Sequence, residues 1–274
     1  MVKVTILLAF HRAKLSRLDD LIMKHFVVFI TIVLFTACAQ SPSQLTSVKG
    51  TQLLINSDIS SNDSIDAFIT PYRNRINTVL DSVLAYAPKD IVKTDGELNT
   101  SEGNLMADIL LRQSQPIFEL RTGHKVDIAL LNYGGIRNVI SAGSVTARTA
   151  FEVMPFENYI VVLELPGTAI REMVSYLIAS SRPQPFSGME IVLYNDGTLQ
   201  SVNIQGTPFD ENRTYYLATI DYLLQGGGNM DFLREFKSAT ELDYLLRNAM
   251  IDYFTKVDTL EATVDDRYIQ IKHP

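Results

Sequence analysis

The 274-residue sequence has one cysteine and no tryptophan. With one cysteine there can be no internal disulfide, so a hydrophobic core has to supply the stability. Hydrophobic residues make up 46% of the chain, enough to fill one large or two small domains. An excess of positive charge is also missing. A net charge of −7 excludes a sequence-independent nucleic-acid binder, which needs a basic face. Any anionic ligand must therefore be met by a local basic pocket. The apolar run from Phe26 to Phe35 is too short to cross a bilayer as a mature helix. There is no internal repeat, and nothing of low complexity beyond a short polar stretch after Cys38.

The N-terminus instead reads as a targeting segment. Met23-Lys24-His25 is a charged start, the apolar run follows, and Phe35-Thr36-Ala37-Cys38 closes it with small residues. This resembles a bacterial lipoprotein signal in which Cys38 becomes the lipidated first residue. A free cysteine after a plain secretory signal is the other reading. Residues 1–38 are then leader, with Met23 the functional start, residues 39–49 are a tether, and residues 50–274 are the folded domain. Removing residues 1–37 takes away five Lys/Arg and two Asp/Glu, leaving 19 positive against 29 negative side chains. The expected location is outside the cytoplasm, lipid-anchored on the periplasmic or cell-surface side of a bacterial membrane.

The rest is organised around Asp127-Ile-Ala-Leu-Leu-Asn132-Tyr-Gly-Gly-Ile-Arg137. The apolar residues predict a strand buried on both faces, and Gly134-Gly135 break it. A strand that ends in a glycine turn delivers the next residues to the sheet edge where α/β folds bind ligands. Asn132 and Arg137 are therefore the first candidates, since a guanidinium fork matches phosphate or carboxylate and glycines admit close approach. An Arg that pairs with a surface carboxylate beside an ordinary turn is the plain alternative.

In chain order, Gln52–Asn56 reads as a strand. Ile65, Phe68, Ile69, Tyr72, Ile76, Val79, Leu80 and Val83 predict a long amphipathic helix, ended by Pro88, whose aromatics pack inward. A second helix opens near Ser101, with Leu105, Ile109 and Leu110 as its buried stripe; Asn104 and Asp108, one turn apart on one face, read as ligand-facing or as braces for the neighbouring loop, with bracing favoured. Residues 144–147, 159–165 and 213–220 read as strands, 148–152 as a helical turn and 169–179 as a helix. Met189–Ile204 reads as a hairpin around Asn195-Asp196-Gly197. Asp243–Val257 is expected to be a helix and Tyr268–Lys272 a last strand. Phe156 rides on a loop, where a ring is more often a core plug than a ligand platform. Gly226-Gly227-Gly228 follow a strand, which is costly unless the backbone needs unusual angles or close approach. The fold class is α+β, with mixed sheets and flanking helices.

Glu102-Gly-Asn-Leu-Met-Ala-Asp108, Asn132-Tyr-Gly-Gly-Ile-Arg137, Phe151-Glu-Val-Met-Pro-Phe156, Leu165-Pro-Gly-Thr and Tyr222-Leu-Leu-Gln-Gly-Gly occur here in order. Together they resemble the C-terminal, substrate-binding domain of the 5′-nucleotidases, over roughly residues 50–272. The resemblance implies a substrate site in which Asn132, Gly134, Gly135 and Arg137 hold phosphate and ribose while Phe156 and Tyr222 sandwich the base, with Gly227, Gly228 and Asn229 completing it. Gly228 stands where the family carries an acidic residue, and Asp95-Gly-Glu-Leu-Asn99 lacks the family's upstream arginine. The full enzymes also hold two metals in an N-terminal metallophosphoesterase domain. Here His11, His25, His124 and His273 are the only histidines, and none has that domain's ligand context. No catalytic residue, metal or cofactor is therefore expected in this chain.

The resemblance thus implies the nucleotide-binding half of a 5′-nucleotidase-type phosphohydrolase that works with a separate metallophosphoesterase chain carrying the divalent metals. A nucleotide- or nucleoside-binding surface lipoprotein without hydrolytic role is the alternative. A structural protein that keeps only the fold is a third reading, disfavoured by a triple-glycine loop and an Arg after a Gly-Gly turn.

Overall fold

The computed structural model describes residues 22–33, 45–56 and 58–273, so Cys38 lies outside the described residues. The chain divides into two units, residues 1–60 and Ser61–Pro274. In the first, residues 22–33 are helical. Among the described residues no helix is long and apolar enough to cross a membrane. Gln52–Asn56, expected as a strand, has no regular structure and exposes Leu53 and Leu54. A short apolar run becomes a strand only where a sheet edge accepts its hydrogen bonds, which its spacing alone cannot report.

The second unit holds the entire hydrophobic core, from Ala85 to Tyr268. It begins with helix α1 (Asp63–Leu80), capped by the Asn62 side chain. Strands β1 (Val83–Ala87) and β3 (Gly143–Thr146) pair antiparallel. The main sheet combines β2 (Ile128–Leu130), β4 (Tyr159–Pro166), β5 (Phe186–Ser187), β9 (Thr214–Ile220) and β10 (Ser238–Leu245) in the order β10-β4-β9-β2-β5. Only β2 and β9 run parallel in it. A smaller sheet, β11-β6-β7-β8, is built from the hairpin β6 (Met189–Tyr194) and β7 (Leu199–Ile204) with β8 (Thr207–Pro208) and β11 (Tyr268–Ile271). The mixed sheets and flanking helices make this an α+β fold.

β4 and β9 read as nearly unbroken apolar runs because both of their faces are covered. One cover is α2 (Ser101–Thr122), which Thr100 caps at the start and Gly123, in the left-handed region at φ 76°, ends. Its stripe of Leu105, Ile109 and Leu110 is fully buried, each side chain stabilising the fold by about 1.5–3 kcal/mol. α3 (Ala147–Val153) leads toward β4, and α4 (Gly167–Ala179) packs on β4 and β9. α5 (Asp221–Leu224) is one turn at the end of β9, and α6 (Leu246–Lys256) closes against α2.

Three further expectations fail here for identifiable reasons. Val83, expected in the first helix, opens β1 because α1 ends at its cap Asp81 and Val83 pairs with Thr146. Residues 243–245 belong to β10 and not to the last helix, because β10 bulges at Asp243 (φ 53°) and so continues its pairing with β4 to Leu245. And α1 buries none of its residues: Phe68 and Tyr72 face solvent rather than packing inward. Amphipathic spacing reports an apolar face, not what covers it.

Asn104 and Asp108 do brace neighbouring loops. Asn104 Nδ2 donates to Asn99 Oδ1 at 2.6 Å and to the Thr263 carbonyl at 2.9 Å. Asp108 accepts from Ser187 Oγ at 2.6 Å and from both terminal nitrogens of Arg267 at 3.0 and 3.2 Å. Arg267 also binds Asp265 and the Phe186 carbonyl, tying the small sheet to α2 while only 13% of its side chain meets water. Removing a largely buried charge partner costs about 3–5 kcal/mol, whereas a surface pair contributes about 0–1 kcal/mol. Arg267→Ala should therefore lower urea-unfolding stability by about 3 kcal/mol. Arg234→Ala, which breaks the exposed pair with Asp231, should change it little. Equal effects would contradict this view of the joint.

Candidate functional site

The site forms where β2 and β9, the parallel pair, both end. After β2 the chain makes a tight turn at Tyr133–Gly135, in which the Gly135 amide donates to the Asn132 carbonyl at 3.0 Å. A Cβ on Gly135 would stand 3.0 Å from Asn132 Oδ1, so the glycine lets the Asn132 side chain lie against the turn. The Tyr133 amide donates to Gln184 Oε1 at 2.8 Å, and the Arg137 amide to the Val153 carbonyl at 2.9 Å. Lys93 Nζ donates to the Ile136 carbonyl and lies 4.7 Å from the Tyr133 ring centre.

These bonds fix the backbone and leave the Arg137 guanidinium at the surface. Its Nη1 makes one long contact to the Gly134 carbonyl at 3.4 Å, and its Cζ stands 5.9 Å from the centre of the Phe156 ring. Among the described residues it enters no ion pair. The carboxylate-paired reading of Arg137 is thereby removed. A planar, charged fork without a counterion is what a phosphate or carboxylate would engage.

Phe156 sits on the loop between α3 and β4. The loop is held by Arg247 of α6, whose Nη1 donates to the carbonyls of Met154, Pro155 and Phe156 at 3.5, 3.2 and 3.2 Å. Arg247 is 7% exposed and stacks 4.2 Å from the Phe151 ring centre. The clamp turns three carbonyls inward and the Phe156 ring outward, 41% exposed. The ring is not a core plug.

Tyr222 comes from the other strand end. Asp221 Oδ1 accepts from the amides of Tyr159, at 3.2 Å, and Tyr222, at 2.8 Å, so one carboxylate registers α5 against β4. A Cβ on Gly227 would fall 2.3 Å from Tyr222 Cε1, which explains why that position is bare: the ring lies against it. Gly226 and Gly228 occupy the left-handed region, and Tyr176 donates its hydroxyl to the Gly228 carbonyl at 2.9 Å.

Asn132, Gly134, Gly135, Arg137, Phe156 and Tyr222 line one cavity of about 340 Å³, together with Asn158. That is the size range of small-molecule sites. Asn158 escaped sequence reading because an Asn beside a strand start usually serves the turn. Gly227, Gly228 and Asn229 do not line the cavity; the first two shape the loop behind Tyr222, and Asn229 adopts a left-handed φ of 56°. A larger groove of about 540 Å³ lies beside the small sheet, lined by Glu190, Asp265, Asp266 and Arg267. Its one cation is already engaged by Asp108 and Asp265, so it offers an anion nothing.

Near the β2 turn, Glu102 is fully buried and neither carboxylate oxygen has a hydrogen-bond partner. Burial pushes its pKa up to about 8, against the attraction of Lys93 and with the repulsion of Asp95. Among the described residues no three His, Cys, Asp or Glu side chains converge on a point that could hold a metal. The donors for a dinuclear centre are therefore not assembled by these residues.

The parallel strand ends, the Gly-Gly turn, the guanidinium of Arg137 and the rings of Phe156 and Tyr222 thus border one cavity of an α+β domain, charged at one end and aromatic at the other. A family model described as "5'-nucleotidase, C-terminal domain" matches residues 83–235, and the chain belongs to that family. The chain is 25% identical over 222 residues to Protein UshA of Escherichia coli, covering 79% of this chain and 38% of that protein. It is 26% identical over 192 residues to a 5'-nucleotidase of Vibrio vulnificus, covering 65% of this chain and 32% of that one. A solved 5'-nucleotidase precursor from Thermus thermophilus superposes with a TM-score of 0.63 at 23% identity, over 77% of this chain and 44% of that one. The chain thus spans about a third to two fifths of the length of these curated relatives.

Glu102 yields a prediction with a definite sign. Its folded pKa of about 8 exceeds the ordinary 4.5, so between those pH values the folded chain keeps a proton that the unfolded chain has released. Unfolding free energy should fall as pH rises through that window and level off above about pH 8. Urea titrations across pH 5–9 should show the slope in the wild type and a flatter profile in Glu102→Gln. An unchanged slope in the variant would place the proton elsewhere.

Proposed function

We propose that this chain is the substrate-binding half of a 5′-nucleotidase-type phosphohydrolase, and that a separate metallophosphoesterase chain brings the divalent metals and the attacking water. The observation that supports it best is the single cavity in which an unpaired Arg137 and the Asn132 amide stand beside the rings of Phe156 and Tyr222. A nucleotide has the matching halves. Its base presents a π-face to each ring, at about 1–3 kcal/mol per stacked base. Its phosphate or ribose hydroxyls take the guanidinium and amide donors. Two-metal centres clamp attacking and leaving oxygens during phosphoryl transfer; this chain's part is to orient the ester and hold the base. Reaction in this reading belongs to nucleotide breakdown outside the cytoplasm.

The test is calorimetric titration of AMP and adenosine into residues 61–274, the unit that carries the whole core. Phe156→Ala and Tyr222→Ala should each weaken AMP by roughly 5- to 150-fold, the equivalent of about 1–3 kcal/mol, with little change in melting temperature. Arg137→Ala should weaken AMP more than adenosine if it grips phosphate, and both alike if it grips ribose. The same preparation with added divalent metals should release no phosphate from AMP. No binding by the wild type would sink the proposal, and turnover that vanishes in Arg137→Ala would give this chain its own catalytic centre.

We further propose that Cys38 carries lipid and anchors the chain to a bacterial membrane, on the strength of the apolar run ending in Phe-Thr-Ala-Cys. Expressed in a bacterium, the wild type should fractionate with membranes and Cys38→Ser should be released or left unprocessed. Unaltered membrane association of the serine variant would contradict the anchor.

A further inference from the structure

Glu102 is 0% exposed and neither of its carboxylate oxygens has a hydrogen-bond partner. Buried polar groups are normally paired, because leaving one unpaired is costly. Glu102 stands in the first turn of α2, where its amide donates to the Val92 carbonyl at 3.2 Å. The Val92 amide donates in turn to Ser101 Oγ at 3.2 Å. Lys93, the next residue, therefore leaves a backbone fastened beside that of Glu102, and its Nζ donates to the Ile136 carbonyl. That carbonyl and the Arg137 amide belong to one peptide group. A single ammonium thus lies between a buried carboxyl and the turn that aims the Arg137 guanidinium.

We propose that Glu102 and Lys93 form a proton-controlled positioning pair for Arg137. With Glu102 protonated, Lys93 Nζ stays on the Ile136 carbonyl and the turn is held. With Glu102 ionised, the carboxylate draws the ammonium to itself, because an unpaired buried charge costs more than the one hydrogen bond given up. Neither residue lines the cavity, so both act on the ligand through the turn. The pair regulates the anion end proposed above, and so rests on that reading.

The charges around Glu102 make Lys93 its counterion. Asp95, in the same segment as Lys93, is of like sign and accepts from the Ser101 amide at 2.9 Å. On the turn, Arg137 reaches back to the Gly134 carbonyl. In the loop before β5, Pro185 faces Gly103, and Arg182 stands 5.5 Å from the centre of the Tyr133 ring. Further along α2, Asp108 is bound by Arg267. Burial raises the Glu102 pKa to about 8, with Lys93 opposing the rise and Asp95 adding to it. The carboxyl is therefore neutral at pH 7, and the turn loosens as pH rises through about 8. An anion that prefers the held turn binds more weakly above that pH, and by reciprocity its binding near pH 8 takes up a proton.

Calorimetric titration of AMP between pH 7 and 9 tests the pair, since a phosphate monoester with a second pKa of about 6 keeps its charge over that range. Wild-type affinity should fall about 2- to 12-fold, the weight of one hydrogen bond, with a midpoint near pH 8. Glu102→Gln should hold its pH 7 affinity throughout. Lys93→Met should bind weakly already at pH 7 and show no step, and Lys93→Arg, which keeps a donor, should recover part of the loss. A wild type with pH-independent affinity, or a Glu102→Gln variant that retains the step, would overturn the proposal. The ligand-free protein gives a second reading that needs no nucleotide. The Arg137 amide nitrogen resonance should titrate near pH 8 in the wild type and stay flat in Glu102→Gln. A resonance that titrates in a protein that binds no AMP would uphold the pair and sink the nucleotide reading alone, whereas a flat wild-type resonance would sink the pair even where AMP binds.

Discussion

The backbone turn at the end of β2 is the constraint on which the site depends. The Tyr133, Gly135 and Arg137 amides and the Asn132 and Ile136 carbonyls are bonded within the turn or to Gln184, Val153 and Lys93, which holds the turn in place. Because the backbone is fastened, the Arg137 side chain can stand in solvent without a counterion and still point at a defined place. Buried backbone groups must be paired somewhere, and here their pairing also sets the geometry of the charge.

The aromatic end follows the same logic from two other elements. Arg247 gathers three consecutive carbonyls of the Phe156 loop, and Asp221 binds the Tyr159 and Tyr222 amides. Both rings are thus carried by short segments whose main chains are anchored, one to helix α6 and the other to strand β4. Such anchoring limits the ordering cost on binding, which is where small sites otherwise lose affinity. The bare Gly227 lets the Tyr222 ring come up against the loop behind it.

Much of this was legible in the sequence, though unevenly. Asn132, Gly134, Gly135 and Arg137 could be picked out because their types are odd for their places, glycines that end a buried strand and an arginine just beyond them; Phe156 and Tyr222 entered only through the family resemblance, since a ring on a loop reads by itself as a core plug. Arg247 could not, since one arginine on an amphipathic helix looks like any solvated one until the loop it clamps is seen. Asn158 was hidden in the same way. β10 was missed because Ser238-Ala-Thr-Glu-Leu-Asp-Tyr-Leu alternates poorly and its bulge at Asp243 shifts the register that a pattern would report. For α1 the periodicity was plain and its exposure was not, because a chain's own pattern cannot say whether an apolar face turns inward or outward. The glycine loop misled in one respect: its residues support the ring and do not themselves wall the cavity.

The central claim is that Phe156 and Tyr222 hold a nucleobase between or beside their faces. It is read most directly from the proton spectrum of AMP, because an aromatic ring shields protons stacked over it, and the chain contains no tryptophan to confuse the signal. On titration with residues 61–274, the adenine H2 and H8 resonances should move upfield, and the shift should shrink sharply in Tyr222→Leu and Phe156→Leu while the ribose signals change less. Binding without any upfield movement, or a shift that persists in both leucine variants, would mean that the base lies elsewhere and that the cavity serves a different ligand.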